Sequence, residues 1–242
     1  KPQAAYYEMY GPAGVKTLYK TQEYARSKGM YVITDGKRND IGTTMEAYAA
    51  AHLGKVQVGS QTYEPFLGDA LTVNGYLGSD GIKPLVATCR DNDKGIFVLV
   101  KTSNPSSGEL QDKKIDGVTI YETMGHMCEE WGKELPGVYG YSGVGAVVGA
   151  TYPEQLKYLR EKLPTTFFLI PGYGAQGAGA KDIAGAFDKN GLGGIVNSSR
   201  GIMCAYQKEK CDEHEFAEAA RREAIRMRDE IMGIVGKIVI NK

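Results

Sequence analysis

Residues 31–44 have the sequence Tyr31-Val32-Ile33-Thr34-Asp35-Gly36-Lys37-Arg38-Asn39-Asp40-Ile41-Gly42-Thr43-Thr44. The first four residues predict a short buried strand, and the polar residues begin where that strand ends. Asp35 and Lys37 are two positions apart, so both side chains point to the same face of a strand end. Asp40 follows three residues further on, in the loop. A strand that ends in such a charged row is typical of the catalytic edge of an α/β fold.

The same pattern recurs along the chain. Short apolar runs predict six strands, at Tyr31–Thr34, Ala70–Val73, Ile96–Lys101, Gly145–Gly149, Phe167–Ile170 and Gly194–Asn197. Their continuous apolar character indicates burial on both faces, as in a parallel sheet. Amphipathic segments predict helices at Gly14–Ser27, Thr43–His52, Tyr121–Lys133, Pro153–Lys162 and Asp212–Arg228, the last extending toward Lys237.

The alternation of strands and helices predicts an α/β fold with two competing architectures, an open doubly wound sheet and a TIM barrel. Six strands alone favour the open sheet. The polar clusters after the strands suit either fold, because both place active sites at strand ends. The pattern by itself leaves the choice open. No linker composition interrupts the chain, so we expect one domain over residues 1–242.

Charge and composition narrow the classes of function. The 242 residues include 29 Lys plus Arg and 29 Asp plus Glu, so the formal net charge is zero. This balance argues against bulk binding to nucleic acid or to an anionic membrane. No apolar run approaches the roughly 18 residues of a membrane helix. The four cysteines are scattered, which predicts reduced thiols in a cytoplasmic protein without structural zinc.

Two late loops predict an anion site. The first is the glycine-rich stretch Ile170–Gly179, and the second is Val196-Asn197-Ser198-Ser199-Arg200-Gly201. In TIM barrels, the loops after the last two strands often bind phosphate through backbone N–H groups. Gln176 could donate a hydrogen bond there, and Arg200 could clamp phosphate through two parallel bonds. The alternative is a pair of plain glycine turns.

Other polar residues carry weaker signals. Ser103 and Asn104 can hydrogen-bond a heterocycle or a carbonyl, but they are also ordinary loop residues. The charged row at Asp35 could be a solvated ion pair rather than a catalytic group. Flanking carboxylates favour the charged form of a lysine, which suits proton donation better than Schiff-base chemistry. The three histidines are far apart and form no metal-binding or triad pattern.

Together these motifs resemble those of the orotidine 5′-monophosphate decarboxylase family, in its longer bacterial form. The signature Asp35-x-Lys37-x-x-Asp40-Ile41-x-x-Thr44 is followed, in family order, by matching segments at Leu71–Asn74, Lys101–Pro105, Gly143–Thr151 and Pro171–Gly177. The resemblance covers residues 1 to about 205. It implies a TIM (β/α)8 barrel with each motif at the C-terminal end of a strand.

The resemblance also gives a place to Lys1. The family's second strand carries a lysine of the catalytic array, and Lys1 is similar to that residue. We therefore expect the first strand, the first helix and most of the second strand to lie upstream of this sequence. Without them, a six-stranded remnant would expose its sheet edges. The family's ribose-binding aspartate belongs to the first strand and cannot be placed here.

The resemblance implies a role for each matched position. Lys37 is similar to the proton donor to C6 of the pyrimidine, and Asp35 to the carboxylate set against the substrate's own carboxylate. Asp40 and Thr44 are similar to residues that reach into the site of a partner subunit, which implies a homodimer. The catalytic set is thus Lys1, Asp35, Lys37 and Asp40. The substrate-binding set is Thr44, Ser103, Asn104, Pro171, Gln176, Ser199 and Arg200. Within this set, the resemblance implies that Ser103 contacts the pyrimidine. It implies that Gln176, Arg200 and the Ser199 N–H contact the phosphate.

The implied reaction is the decarboxylation of orotidine 5′-monophosphate to uridine 5′-monophosphate, the final step of de novo pyrimidine synthesis. It needs no cofactor and no metal, and Lys37 protonates a C6 vinyl carbanion. One alternative is a Mg²⁺-dependent phosphosugar decarboxylase or aldolase of the same superfamily, against which the segments Ser103–Pro105 and Gly174–Gly177 argue. The other is a non-catalytic nucleotide-binding barrel, against which the complete Asp–Lys–Asp row argues.

Overall fold

One curled parallel sheet organises the protein, whose computed structural model describes residues 1–174, 177–236, 238 and 240. Its strands are β1 (Ile33–Arg38), β2 (Ala70–Val73), β3 (Gly95–Lys101), β4 (Val144–Val148), β5 (Phe168–Pro171) and β6 (Gly194–Asn197). Each strand pairs with the next along the chain, so the spatial order is the chain order. A doubly wound sheet reverses its strand order at a switch point, and this sheet does not. The fold is therefore the TIM-barrel type, seen here as a half-barrel.

Helices follow the strands and cover one face of the sheet. Their bounds are α1 (Ala5–Glu8), α2 (Gly11–Ser27), α3 (Gly42–Leu53), α4 (Ser79–Asn92), α5 (Ile120–Gly132), α6 (Pro153–Lys162), α7 (Ala180–Ile183), α8 (Ser199–Met203), α9 (Ala205–Glu209) and α10 (Phe216–Val235). Short 3₁₀ turns lie at Pro105–Glu109, Ala184–Ala186 and Glu213–Glu215. Two small hairpins, Val56–Val58 with Gln61–Tyr63 and Lys114–Ile115 with Val118–Thr119, lie outside the main sheet.

Most predicted elements are confirmed, and the differences have physical causes. The predicted bounds of β2, β6 and α6 agree with the structure. The strand predicted at Tyr31–Thr34 instead begins at Ile33 and continues through the polar residues to Arg38. Helix α4 was not predicted, because Pro84 lies inside it and interrupts the helical signal. The long C-terminal helix begins at Phe216, after a 3₁₀ turn, rather than at Asp212.

Side chains alternate between the two faces of the sheet and build two separate apolar layers. The larger layer lies between the strands and the helices. The smaller one, which we call the inner cluster, takes one residue from each of five consecutive strands: Ile33, Ala70, Phe97, Val147 and Leu169. Such a layer, with side chains from successive strands, is how a TIM barrel fills its interior.

The segment before α1 runs beside β1 and extends the sheet on that side. Gln3 and Asp35 form a parallel bridge. The Ala4 N–H donates to the Asp35 carbonyl at 3.1 Å, and the Asp35 N–H donates to the Pro2 carbonyl at 2.9 Å. These bonds bring Lys1 to the C-terminal end of β1.

All four thiols are unpaired; Cys89 and Cys128 are buried, and Cys204 and Cys211 are partly buried. Within the described residues, none of the helices combines the length and the apolar character needed to cross a membrane.

Candidate active site

Two ammonium groups hold the two oxygens of one carboxylate at the end of β1. Lys1 Nζ lies 2.5 Å from Asp35 Oδ2, and Lys37 Nζ lies 2.5 Å from Asp35 Oδ1. The Asp35 side chain is 7% exposed and that of Lys37 is 46% exposed. The carboxylate is therefore desolvated, while one of its ammonium partners still faces water.

The backbone of β1 is distorted where it presents these groups. Its pairing with β2 is irregular between Thr34 and Arg38, and Lys37 adopts a left-handed φ of 46°. That conformation is uncommon for a residue with a Cβ atom and is found at functional sites. Thr72 on β2 supports it, because the Lys37 N–H donates to Thr72 Oγ1 at 3.1 Å. An irregularity of this kind re-aims a side chain at the end of a strand.

The surroundings of Asp35 keep it ionised. Burial opposes its ionisation, but the Lys1 ammonium, with the Lys37 ammonium beside it, outweighs burial and holds the pKa of Asp35 below its ordinary value. The Thr72 hydroxyl also donates to Asp35 Oδ1, at 2.9 Å. The site thus carries a fixed alternation of positive, negative and positive charge before any ligand binds.

A cavity of about 840 Å³ opens above this row. Its floor includes Val147 and Leu169 of the inner cluster. Its walls carry polar groups from the ends of several strands, including Ser103 after β3 and Ser199 after β6. An apolar floor with a few converging polar groups is the usual form of a small-molecule site, and this volume lies within the usual range.

Most of the predicted site residues meet in this cavity. Lys1, Asp35, Lys37, Ser103, Asn104, Pro171, Ser199 and Arg200 line it. Gln176 lies outside the described residues, so its predicted role stays a prediction. Asp40 and Thr44 are not among the described residues that line the cavity. The Asp40 carboxylate instead accepts a bond from the Ile41 N–H at 2.9 Å, and Thr44 is exposed on α3.

The two late loops are tied together at one end of the cavity. Ser198 is buried, and its hydroxyl donates to the Tyr173 carbonyl at 3.0 Å. Ser199 then begins helix α8, and Arg200 is exposed beside it. Helix α10 holds the Tyr173 side chain in place, because the Tyr173 hydroxyl donates to Glu230 of that helix at 2.7 Å. The loops that were predicted to meet around an anion therefore do lie side by side.

Several cavity residues were not singled out from the sequence. Thr72 and Gln111 contribute polar groups, and Asn197 lines the cavity with a buried Oδ1 that accepts no hydrogen bond from the described residues. Tyr6 and Tyr7 of α1 also line the cavity, and Tyr6 is 73% exposed. Thr72 lies within the Leu71–Asn74 motif, but only the pairing of β1 with β2 reveals its partners.

The charged row, the cavity and the paired late loops have a counterpart among known proteins. The family model described as "Orotidine 5'-phosphate decarboxylase / HUMPS family" matches residues 1–212. This chain belongs to that family. The match extends over the charged row, every strand of the sheet and both late loops.

Relatives that share this family resemble the chain closely. The orotidine 5′-phosphate decarboxylase of Rhodopirellula baltica is 48% identical over 237 residues, covering 96% of this chain and 78% of the relative. The protein of the same name from Caldicellulosiruptor bescii is 49% identical over 207 residues, covering 86% of this chain and 68% of the relative. Among solved structures, the OMP decarboxylase of Leishmania donovani is 31% identical with a TM-score of 0.75, covering 96% of this chain and 80% of that one.

Proposed function

We infer that this chain catalyses the decarboxylation of orotidine 5′-monophosphate to uridine 5′-monophosphate and CO₂, a step of pyrimidine synthesis. The observation that carries the inference is the Lys1–Asp35–Lys37 row on the floor of the cavity, in a chain of this family. The row provides a fixed negative charge and a proton donor side by side. Both are useful to a reaction that loses a carboxylate and gains a proton.

In the proposed mechanism, the bond between C6 and the carboxylate breaks and its electron pair stays on C6. The Lys37 ammonium stabilises that developing charge and then gives a proton from Nζ to C6. Because the Lys37 side chain is 46% exposed, water can return the proton after turnover. Asp35 holds both ammonium groups in place beforehand, so little reorganisation is needed during the reaction.

The other predicted residues take positions suited to binding the rest of the substrate. Ser103 and Asn104 line the wall above β3 and are suited to the pyrimidine. Ser199 and Arg200 lie in the paired late loops, where a helix start and a guanidinium suit a phosphate. Gln176, which lies outside the described residues, is proposed as a third phosphate ligand. Binding energy from that remote phosphate can be used to organise the reacting end.

The first test is turnover. Purified protein is incubated with orotidine 5′-monophosphate in the presence of EDTA, and the ultraviolet change to uridine 5′-monophosphate is followed. We expect turnover by the wild-type chain and a fall in kcat of about 10²- to 10⁴-fold in Lys37→Ala. The exposed helix residue Lys83 gives a matched control, Lys83→Ala, which should keep its kcat.

The alternatives predict different results in the same assay. A Mg²⁺-dependent phosphosugar enzyme would be inactive on orotidylate and would lose its own activity in EDTA. A non-catalytic barrel would bind the nucleotide without turnover. A near-normal kcat in Lys37→Ala would contradict the role given to that lysine.

We further propose that the active form is a homodimer in which Asp40 and Thr44 act in the partner's site. Both residues lie away from the cavity of their own chain among its described residues. Two apolar side chains near the Asp40 loop are exposed. Ile41 follows Asp40 and is 50% exposed. Tyr76 is 74% exposed and lies two residues after Asn74, whose N–H donates to the Arg38 carbonyl. An apolar patch of this kind beside a functional loop is typical of a subunit interface.

Subunit complementation tests the dimer. The inactive variants Lys37→Ala and Asp40→Ala are unfolded together and refolded, so that mixed dimers form. If each site combines Lys37 of one subunit with Asp40 of the other, one site of each mixed dimer is intact. We then expect recovery of about a quarter of the wild-type activity. No recovery, with dimers present by light scattering, would place both residues in the same subunit's site.

We also propose that the protein resides in the cytoplasm. Its four unpaired thiols support this, because such thiols persist in a reducing compartment. Cell fractionation with an antibody to the chain tests the location.

A further inference from the structure

Lys101 is the last residue of β3 and has a fully buried side chain, at 0% exposure. It is not among the described residues that line the cavity, and the mechanism above does not use it. The next three residues, Thr102, Ser103 and Asn104, all line the cavity. A buried ammonium therefore lies immediately behind the wall that is proposed to contact the pyrimidine.

Four different side chains surround this ammonium. Lys101 Nζ lies 2.6 Å from Asp112 Oδ1 and 3.3 Å from Ser107 Oγ. It also lies over two aromatic rings, 4.3 Å from the centroid of Tyr152 and 5.6 Å from that of Tyr121. These partners come from the 3₁₀ turn after β3, the segment behind that turn, the loop after β4 and helix α5. One charge thus joins four segments that meet behind the cavity.

The same partners lead directly to the cavity wall. Gln111, next to Asp112, accepts from the Thr102 N–H at 2.9 Å and donates to the Thr102 hydroxyl at 2.7 Å. The Tyr152 hydroxyl donates to the Asn104 carbonyl at 3.4 Å. Ser103 is thus flanked on both sides by residues whose positions depend on the Lys101 network. A shift of Asp112 or Tyr152 would move the wall itself.

Burying a charge for packing alone is unfavourable. A lysine side chain in the interior loses its hydration, and an apolar residue of similar size would fill the space without that loss. The Asp112 side chain is 45% exposed, so the lysine bears most of the desolvation. A buried ammonium also orients the side chains that hydrogen-bond to it, whereas an apolar side chain makes no hydrogen bonds and cannot do so.

We propose that Lys101 is a positioning residue for substrate binding: its buried ammonium holds residues 102–112 so that Ser103 faces the pyrimidine. The inference rests on the proposed function. It assigns Lys101 an effect on substrate affinity and only a secondary effect on the chemical step, because Lys37 and Asp35 lie on a different strand.

The test compares Lys101→Met with Lys94→Met. Lys94 immediately precedes β3, at the opposite end from Lys101, and its Nζ pairs with Asp69 Oδ1 at 3.1 Å with 14% of its side chain exposed. Each variant removes a partly or fully buried ion pair at one end of the same strand. We expect KM for orotidine 5′-monophosphate to rise at least tenfold in Lys101→Met while kcat falls less than threefold. Lys94→Met should keep the wild-type KM, whatever it loses in melting temperature.

Two further measurements keep the comparison decisive. Calorimetric titration with uridine 5′-monophosphate should show a weaker Kd in Lys101→Met by a factor similar to that in KM, without any need for turnover. If Lys101→Met does not fold, Asp112→Asn replaces it. This substitution removes the negative charge that pairs with Lys101 and keeps the volume of the side chain, which is 45% exposed. Asp112→Asn should also raise KM and leave kcat near its wild-type value.

The possible outcomes separate the two inferences. If the wild-type chain does not turn over orotidylate, the proposed function fails and the role of Lys101 fails with it. If the wild type is active and the KM of Lys101→Met lies within twofold of it, only the positioning role is overturned. An equal rise of KM in Lys94→Met would also overturn it, since the effect would then follow from lost stability. If Lys101→Met does not fold, a KM for Asp112→Asn equal to that of the wild type would overturn the positioning role instead.

Discussion

The hydroxyl of Thr72 donates to Asp35 Oδ1 at 2.9 Å and so joins the second strand of the sheet to the charged row on the first. Thr72 Oγ1 also accepts a hydrogen bond from the Lys37 N–H at 3.1 Å. One side chain therefore supports both the carboxylate and the left-handed backbone that presents the lysine. Thr72 is itself buried, at 2% exposure, so its geometry is fixed by packing.

Thr72→Val should lower kcat while leaving the fold intact. Valine keeps the shape of threonine but removes the hydroxyl, so Asp35 loses a donor and the Lys37 N–H loses its acceptor. A hydrogen bond to a charged group is worth about 1.5–3 kcal/mol, which corresponds to roughly a 10- to 150-fold loss in kcat. Steady-state kinetics on orotidylate measures it. The matched control Thr72→Ser retains the hydroxyl and should stay within a few fold of wild type; equal losses in both variants would refute the role of the hydroxyl.

Stability should fall as the pH drops below neutrality, because His52 is buried as the neutral form. Burial, together with the nearby Arg38 charge, lowers the pKa of His52 to about 4. The ordinary value is near 6.5, so the unfolded chain takes up a proton first. The contribution of neutral His52 to the free energy of unfolding is complete above about pH 6.5. It is lost progressively as the pH falls to about 4, by up to about 3 kcal/mol.

Chemical denaturation at a series of pH values checks this window. His52→Phe should flatten the curve between pH 6.5 and 4, because phenylalanine can stack on Phe66 as His52 does, at 4.8 Å between ring centroids. The control His126→Gln changes a side chain that is 51% exposed and should leave the curve unchanged. Asp35, whose pKa is lowered, loses its contribution only below about pH 4, outside this window. A curve for His52→Phe that matches wild type would exclude His52 as the source.

Arg160 should matter for stability and not for catalysis. Its buried guanidinium donates to the carbonyls of Gly193 at 3.1 Å, Thr166 at 2.9 Å and Leu163, and it lies 4.2 Å over the Phe168 ring. These carbonyls precede β5 and β6, at the opposite end of the sheet from the cavity. The Gly193 and Leu163 carbonyls also accept from the N–H groups of Phe168 and Thr166, so Arg160→Met leaves only the Thr166 carbonyl without a donor among the described residues. It should cost about 1–3 kcal/mol of unfolding free energy, with kcat/KM unchanged.

Urea denaturation and steady-state kinetics together test that separation. Arg228→Met is the control, because the Arg228 side chain is 61% exposed and its substitution should change stability by less than about 0.5 kcal/mol. A loss of kcat/KM in Arg160→Met under conditions where the protein is folded would show that the two ends of the sheet are coupled.

The thiols should fall into two reactivity classes. Burial raises the pKa of Cys89 to about 12 and also raises that of Cys128, so neither forms the reactive thiolate in the native state. Cys204 and Cys211 are partly exposed. Native protein should therefore react with Ellman's reagent at these two thiols, and all four should react after denaturation. The variant Cys204→Ser/Cys211→Ser should show no fast phase; a persistent fast phase would mean that a buried thiol opens to solvent.

The sequence was informative where a residue's role depends on its immediate neighbours. The spacing of Asp35 and Lys37 placed both on one face, and the structure joins them at 2.5 Å. The apolar runs located the strands because strands buried on both faces consist of little else. The choice between an open sheet and a barrel did not follow from those runs, because it depends on strand order.

The sequence was uninformative where a role depends on pairing across the sheet. In the sequence, nothing distinguishes Thr72 from the other threonines. The strand register, which places Leu71 opposite Thr34, is what brings Thr72 beside the charged row. Lys101 closes an apolar strand and has no signal of burial in its own neighbourhood, since its partner Asp112 lies eleven positions away. Helix α4 was hidden by Pro84, which the helix accommodates because its tertiary packing outweighs the local penalty.

The inner cluster links ligand selectivity to the robustness of the fold. Val147 and Leu169 belong to that cluster and also form the cavity floor. Reshaping the floor to admit a bulkier base would therefore remove atoms from the layer that closes the interior of the sheet. Directed evolution toward larger substrates should first accumulate compensating changes elsewhere, and libraries built on a pre-stabilised parent should yield more active variants than libraries built on the natural chain.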